Sequence, residues 1–114
     1  KIEGLPGVYM ALDQALLSGW NKKKGDTEGF VNYGLSLEGI QVAVILIENK
    51  GEGKIKMSFR SKGDFSVNDF ARKYFNGGGH LNASGGMSMK TLEETEKDLV
   101  AAIKLEKNNL IIDV

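Results

Sequence analysis

The sequence predicts a small single α/β domain in which a mixed central sheet of about four to five strands is flanked by helices. Three observations predict it: a nearly uninterrupted β-branched run at 41–48, an alternating apolar-polar run just after it, and amphipathic helical stretches before and after a glycine-rich segment.

Taken in order, Val8, Tyr9, Met10, Ala11 and Leu12 form a short strand candidate, and Asp13 is placed to cap a helix carrying Leu16, Leu17 and Trp20. Lys22, Lys23, Lys24, Gly25 and Asp26 break it. Between Thr27 and Gly39 the apolar positions Phe30, Val31, Leu35 and Leu37 fit a short helix weakened by Gly34. Val42 to Ile47 suits a central strand covered on both faces. The turn at 49–53 then leads into a hairpin partner in which Ile55, Met57 and Phe59 alternate with Lys54, Lys56, Ser58 and Arg60. Ser66 caps a helix whose Val67, Phe70, Ala71, Tyr74 and Phe75 make one apolar stripe. After the glycine-rich segment 77–86, Met87, Ser88 and Met89 read as a strand. Thr91 and Glu94 form a capping-box pair for a second amphipathic helix, with Leu92, Leu99, Val100 and Ile103 inward and Asn108 and Asn109 as its stop.

The 114 residues suffice for one core, and 15 basic residues balance 15 acidic ones, so any anion must be held locally rather than by net charge. The absence of cysteine excludes disulfides, thiolate metal sites and cysteine nucleophiles, and is consistent with a reducing cytoplasm. The longest apolar stretch is far short of the roughly 20 residues of a membrane helix, so a soluble chain is expected. The opening residues Ile2, Glu3, Gly4, Leu5, Pro6 and Gly7 read as a linker entering a fold.

Chemistry concentrates in one place. Gly77, Gly78 and Gly79 precede His80, Asn82 and Ser84, with Gly85 and Gly86 following. Consecutive glycines can leave N–H groups uncovered for an anion, while His80, Asn82 and Ser84 add donors. A tight turn needing glycine for geometry alone is the competing reading. Arg60, at the end of the alternating strand between Phe59 and Ser61, offers a planar fork for two phosphate oxygens, or is a solvated strand-end charge. Arg72 falls off the apolar stripe and reads as surface. No Lys-Ser/Thr follows the glycines, so this is not a P-loop. His80 is the single histidine, so His-His metal spacing is excluded, and no Gly-x-Ser-x-Gly elbow supports a serine triad. Glu93, Glu94 and Glu96 read as an exposed helix face. Trp20, Phe65, Tyr74 and Phe75 read as core rather than as stacking platforms.

With Ser58-Phe59-Arg60-Ser61 followed by Gly77-Gly78-Gly79-His80-Leu81-Asn82-Ala83-Ser84-Gly85, the chain resembles the DHH-associated domain at the C-terminus of DHH-family phosphoesterases. It is most similar to the nanoRNase/oligoribonuclease and 3'-phosphoadenosine 5'-phosphate phosphatase branch, a likeness supported by Asp26-Thr27-Glu28-Gly29. The resemblance implies a division into a linker at 1–7 from an N-terminal catalytic DHH domain, a substrate-binding domain at 8–107 and a tail at 108–114. It implies no cofactor in this chain and Mn2+ or Mg2+ in the N-terminal domain, whose Asp and His ligands have no counterpart here. Arg60, Ser61, Gly77, Gly78, Gly79, His80, Asn82 and Ser84 would hold the phosphate and terminal nucleotide of a short single-stranded oligonucleotide, a nucleotide phosphate or a cyclic dinucleotide, with no membrane partner. A related domain ends alanyl-tRNA synthetases, so an RNA-binding appendage is the alternative.

Overall fold

The β-branched run at 42–47 fixes the middle of the molecule. The computed structural model describes residues 7–12, 29, 32–37, 39–49, 51–63 and 65–106. Its strands are β1 (Gly7–Leu12), β2 (Val42–Asn49), β3 (Lys54–Ser61), β4 (Gly78–His80) and β5 (Ala83–Ser88), and its longer helices are α1 (Val67–Tyr74) and α2 (Leu92–Leu105). They form one five-stranded sheet in the order β1-β2-β3-β5-β4. β1 runs parallel to β2, and every other pairing is antiparallel, so the sheet is mixed as the sequence predicts.

Period-two alternation divides this sheet into two unlike faces. Val42, Val44, Leu46, Ile55, Met57 and Phe59 point to the side covered by α1 and α2, where they meet Val67, Phe70, Phe75, Leu99 and Ile103 in the main core. Phe59 is fully buried and packs edge-on to Phe70 at a centroid distance of 5.7 Å. The other face is divided in turn. Over β1 and β2, Val8, Ala43 and Ile45 are covered by Ile40, Leu35 and Leu37. Over β3, β5 and β4 the strand residues facing this side are half-buried or exposed.

The helix caps follow the sequence closely. Ser66 accepts the Asp69 N–H at 3.1 Å, and Thr91 and Glu94 exchange both bonds of a capping box. Residues 32–36 are helical, and Gly34, a weakness by propensity, has a packing reason. A Cβ there would lie 2.8 Å from Val8 Cγ2, so glycine lets this segment sit directly on β1. The expected helix after Asp13 with Leu16, Leu17 and Trp20, the 26–28 opening, Phe30, Val31 and the stop at Asn108 and Asn109 lie outside the described residues.

The glycine-rich segment departs most from expectation. It is a β-hairpin, β4 and β5, turning at Leu81 and Asn82; of the strand read at 87–89, Met87 and Ser88 are the end of β5 and Met89 lies beyond it. Glycine is a poor strand former, but close packing holds it extended here. A Cβ on Gly77 would lie 1.9 Å from the Gly85 carbonyl oxygen, and one on Gly86 would lie 3.0 Å from the Phe75 oxygen. α1 ends at Tyr74 with Phe75 as its C-cap, Asn76 turns left-handed with φ 50°, and the chain reverses into β4 against the helix.

Candidate functional site

The open half of the second face is built from three strands whose register places specific side chains together. In antiparallel pairs, residues directly opposite share a face. Arg60 is opposite Ala83, and Ala83 is opposite His80, so the three form one cross-strand row. Two strand spacings put the backbones of Arg60 and His80 about 10 Å apart, with only a methyl group between them. The next row is Ser58, Gly85 and Gly78, and the one beyond pairs Lys56 with Met87. These rows make a shallow floor of glycine, alanine and serine, with Arg60 and His80 as walls. Its strand residues carry three potential cations, Lys56, Arg60 and His80, and no carboxylate.

Arg60 is half-buried and its Nη1 donates to the Phe59 carbonyl at 3.1 Å, a contact that holds the side chain back along its own strand. His80 is exposed at the end of edge strand β4. That edge is covered rather than bare: Asn68 of α1 accepts the Gly79 N–H at 2.8 Å and also the Arg72 Nε at 3.2 Å. Arg72, read as plain surface, therefore helps to seal the sheet edge.

The eight residues singled out from sequence separate into two groups. Ser61 and Ser84 lie on the helix-covered face, both buried. Ser84 donates to the Val67 carbonyl at 2.8 Å, and Ser61 donates to the Phe65 carbonyl at 2.8 Å. Asn82 Nδ2 donates to Ser61 Oγ at 3.0 Å and to the Gly63 carbonyl at 3.2 Å. With Val67 N–H bonded to the Leu81 carbonyl, these contacts tie the β4–β5 turn to the entry of α1. The glycine N–H groups are likewise used inside the fold. Gly77 N–H donates to the Ala71 carbonyl at 3.0 Å and Gly79 N–H to Asn68. With Gly79 turned outward, ladder alternation directs the N–H groups of Gly78 and His80 at β5. Of the three glycines expected to offer open N–H donors, Gly77 and Gly79 instead supply close backbone approach, and among the eight residues the side chains on the open face are those of Arg60 and His80.

Sequence reasoning missed Asn68, Ala83 and Lys56. Lys56 had a usable signal, because it shares the alternation of Ser58 and Arg60. Ala83 had none, since its position between Arg60 and His80 exists only through β3–β5–β4 pairing.

Among the described residues no three of His, Cys, Asp and Glu come together to hold a metal ion. No described helix is long and apolar enough to cross a membrane.

The sequence profile of the DHHA1 domain matches residues 6–108. The chain belongs to the DHHA1 family. Among solved structures, this DHHA1 domain is similar to an exopolyphosphatase-related protein from Bacteroides fragilis, at 38% identity and TM-score 0.84 over 94% of this chain and 31% of that one. It therefore spans about a third of that relative. At lower identity the likeness is of fold alone. The C-Ala domain of Aquifex aeolicus alanyl-tRNA synthetase matches at 11% identity and TM-score 0.60 over 90% of this chain and 95% of that one. An uncharacterized protein from Helicobacter pylori matches at 18% identity and TM-score 0.53 over 84% and 25%. No curated protein sequence matches the chain.

Proposed function

We propose that this DHHA1 domain is the substrate-binding part of a cytoplasmic, metal-dependent DHH-family phosphoesterase, with Arg60 and His80 gripping a phosphate. The division is a linker at 1–7, the binding domain at 8–107 and a tail at 108–114, with an N-terminal DHH domain as partner. The observation that carries the reading is the row Arg60, Ala83, His80, because two cationic or donor side chains flank a gap floored by a methyl group. A phosphate seated there would meet a planar guanidinium on one side and an imidazole on the other. Ser61, Asn82, Ser84 and Gly77 to Gly79 belong to the same site as positioning residues, since they fix the turn and strand that aim His80. The exopolyphosphatase-related description of the 38%-identical relative fits a site for phosphate.

The substrate class is a short oligonucleotide, a nucleotide phosphate or a cyclic dinucleotide, in the manner of an oligoribonuclease or exonuclease. Manganese or magnesium in the DHH domain would activate water and stabilise the leaving oxygen. This chain's residues bind and orient. The C-Ala likeness raises the alternative of an RNA-binding appendage, against which the formal net charge of +0 counts.

The test follows the His80 ring resonances by NMR while inorganic phosphate, a 5'-phosphorylated dinucleotide and tRNA are titrated at two salt concentrations. The reading expects shifts with phosphate and dinucleotide, and tRNA binding no tighter than dinucleotide. A strong preference for tRNA would establish the appendage instead, and no shift with any of them would leave a plain interaction module.

A further inference from the structure

The face that presents Arg60 and His80 extends beyond them. β3 is an interior strand, with β2 on one side and β5 on the other, so an exposed side chain in its middle marks an open face rather than a bare sheet edge. Lys56 is that side chain. It stands four residues from Arg60 on the same face, exposed, opposite Ile47 on β2 and Met87 on β5. Four residues of strand separate the two backbones by about 13 Å. Among the described residues of β3, β5 and β4, the row between them is Ser58, Gly85 and Gly78, whose tallest side chain is a hydroxymethyl group, with Arg72 and Asn68 of α1 flanking Gly78 at the outer edge.

Lys56 also differs from its neighbours in charge compensation. Lys54, on the same side of the strand, pairs with Glu52 at 3.4 Å, and Lys62 donates to the Leu35 carbonyl. Among the described residues no carboxylate pairs with Lys56. Met87 beside it is half-buried and contributes a polarizable thioether surface of the kind that contacts aromatic rings. An ammonium group and an apolar surface, side by side at the far end of a low floor, match one phosphate and one base.

We infer that Lys56 is a second phosphate contact, holding an internal phosphate of an oligonucleotide whose terminal phosphate sits between Arg60 and His80. The inference rests on the proposed phosphate grip and deepens it. A mononucleotide placed at Arg60 and His80 stops short of Lys56, whereas a chain of two or three nucleotides laid along β3 reaches it. The site would thereby select by length, because only the longer ligand gains the additional charged contact.

The experiment titrates the 114-residue chain and Lys56→Gln with adenosine 5'-monophosphate and with the 5'-phosphorylated trinucleotide pApApA, each at two salt concentrations. Lys56→Gln should weaken pApApA binding by about three- to tenfold and lower its salt slope by about 0.7, the share of one single-strand phosphate contact. Its affinity for the mononucleotide should stay within about twofold of the unsubstituted chain, and Lys56→Arg should restore trinucleotide affinity. An equal loss for both ligands would place Lys56 at the terminal phosphate and overturn the inference, as would no loss for pApApA. In either case the grip at Arg60 and His80 would still stand, because the mononucleotide binds. If the unsubstituted chain binds neither ligand, the proposed function fails and takes this inference with it.

Discussion

Arg60 and His80 stand on the same face of the sheet in one cross-strand row, each paired in register with Ala83. They are 20 residues apart in the chain, and β3–β5 and β5–β4 pairing brings them together. The gap between them is set by the smallest chiral side chain, which leads to a direct prediction.

Ala83→Leu should fill that gap. The leucine would project from the half-buried, open face, so the fold should tolerate it, with a thermal midpoint within a few degrees of the parent. Affinity for a 5'-phosphorylated dinucleotide should fall at least about tenfold, equivalent to about 1.4 kcal/mol. Calorimetric titration beside a thermal melt measures both.

Gly77→Ala should do the reverse, damaging stability before function. Its added methyl would meet the Gly85 carbonyl oxygen at 1.9 Å and Gly86 Cα at 2.6 Å, both backbone atoms that yield only if the hairpin moves. A loss at the upper end of overpacking, about 3 kcal/mol, is expected in urea unfolding. A loss below about 1 kcal/mol would mean that the hairpin does not pack this closely.

Tyr9 links the sheet to α2, donating its hydroxyl to Glu96 at 2.8 Å. Burial first, then the hydrogen bond and the carboxylate charge, raise its pKa above the ordinary 10.0. The folded state therefore holds the proton more tightly than the unfolded chain. The contribution is complete below pH 10 and is lost as pH rises through the higher folded value. Stability should fall more steeply above pH 10 in the parent than in Tyr9→Phe, as read from urea midpoints across pH 9 to 11. Parallel curves would remove Tyr9 from the alkaline transition. Lys73 and Lys90, raised by Glu106 and Asp98 respectively, contribute in the same direction in both proteins.

Most of the fold was legible because its signals are local. The run at 42–47 has a β-branched composition, residues 54–60 alternate cleanly, and Ser66 and Thr91 announce their helices through side chains that cap the next turn. The hairpin at 78–88 was not legible as strand, because glycine carries no strand preference and its reason for being there lies in Phe75, Gly85 and Phe59, residues distant in sequence or on the partner strand. The site was half legible for the same reason. Residue type marked Arg60 and His80 as candidates for holding a phosphate. It could not distinguish them from Ser61, Asn82 and Ser84, whose polar groups are equally suited to phosphate. Only the pairing register shows that Ser61 and Ser84 face the helices and that Asn82 is bonded to Ser61 and Gly63.

The central claim is that Arg60 and His80 bind phosphate without supporting the fold. The most direct measurement compares the parent with Arg60→Ala and His80→Ala, using calorimetric titration with a 5'-phosphorylated dinucleotide and a thermal melt of each protein. The account predicts that each substitution weakens binding at least about tenfold, equivalent to about 1.4 kcal/mol, while the melting temperature stays within a few degrees. Unchanged dinucleotide affinity in both variants, or a loss of binding that only follows their unfolding, would contradict it.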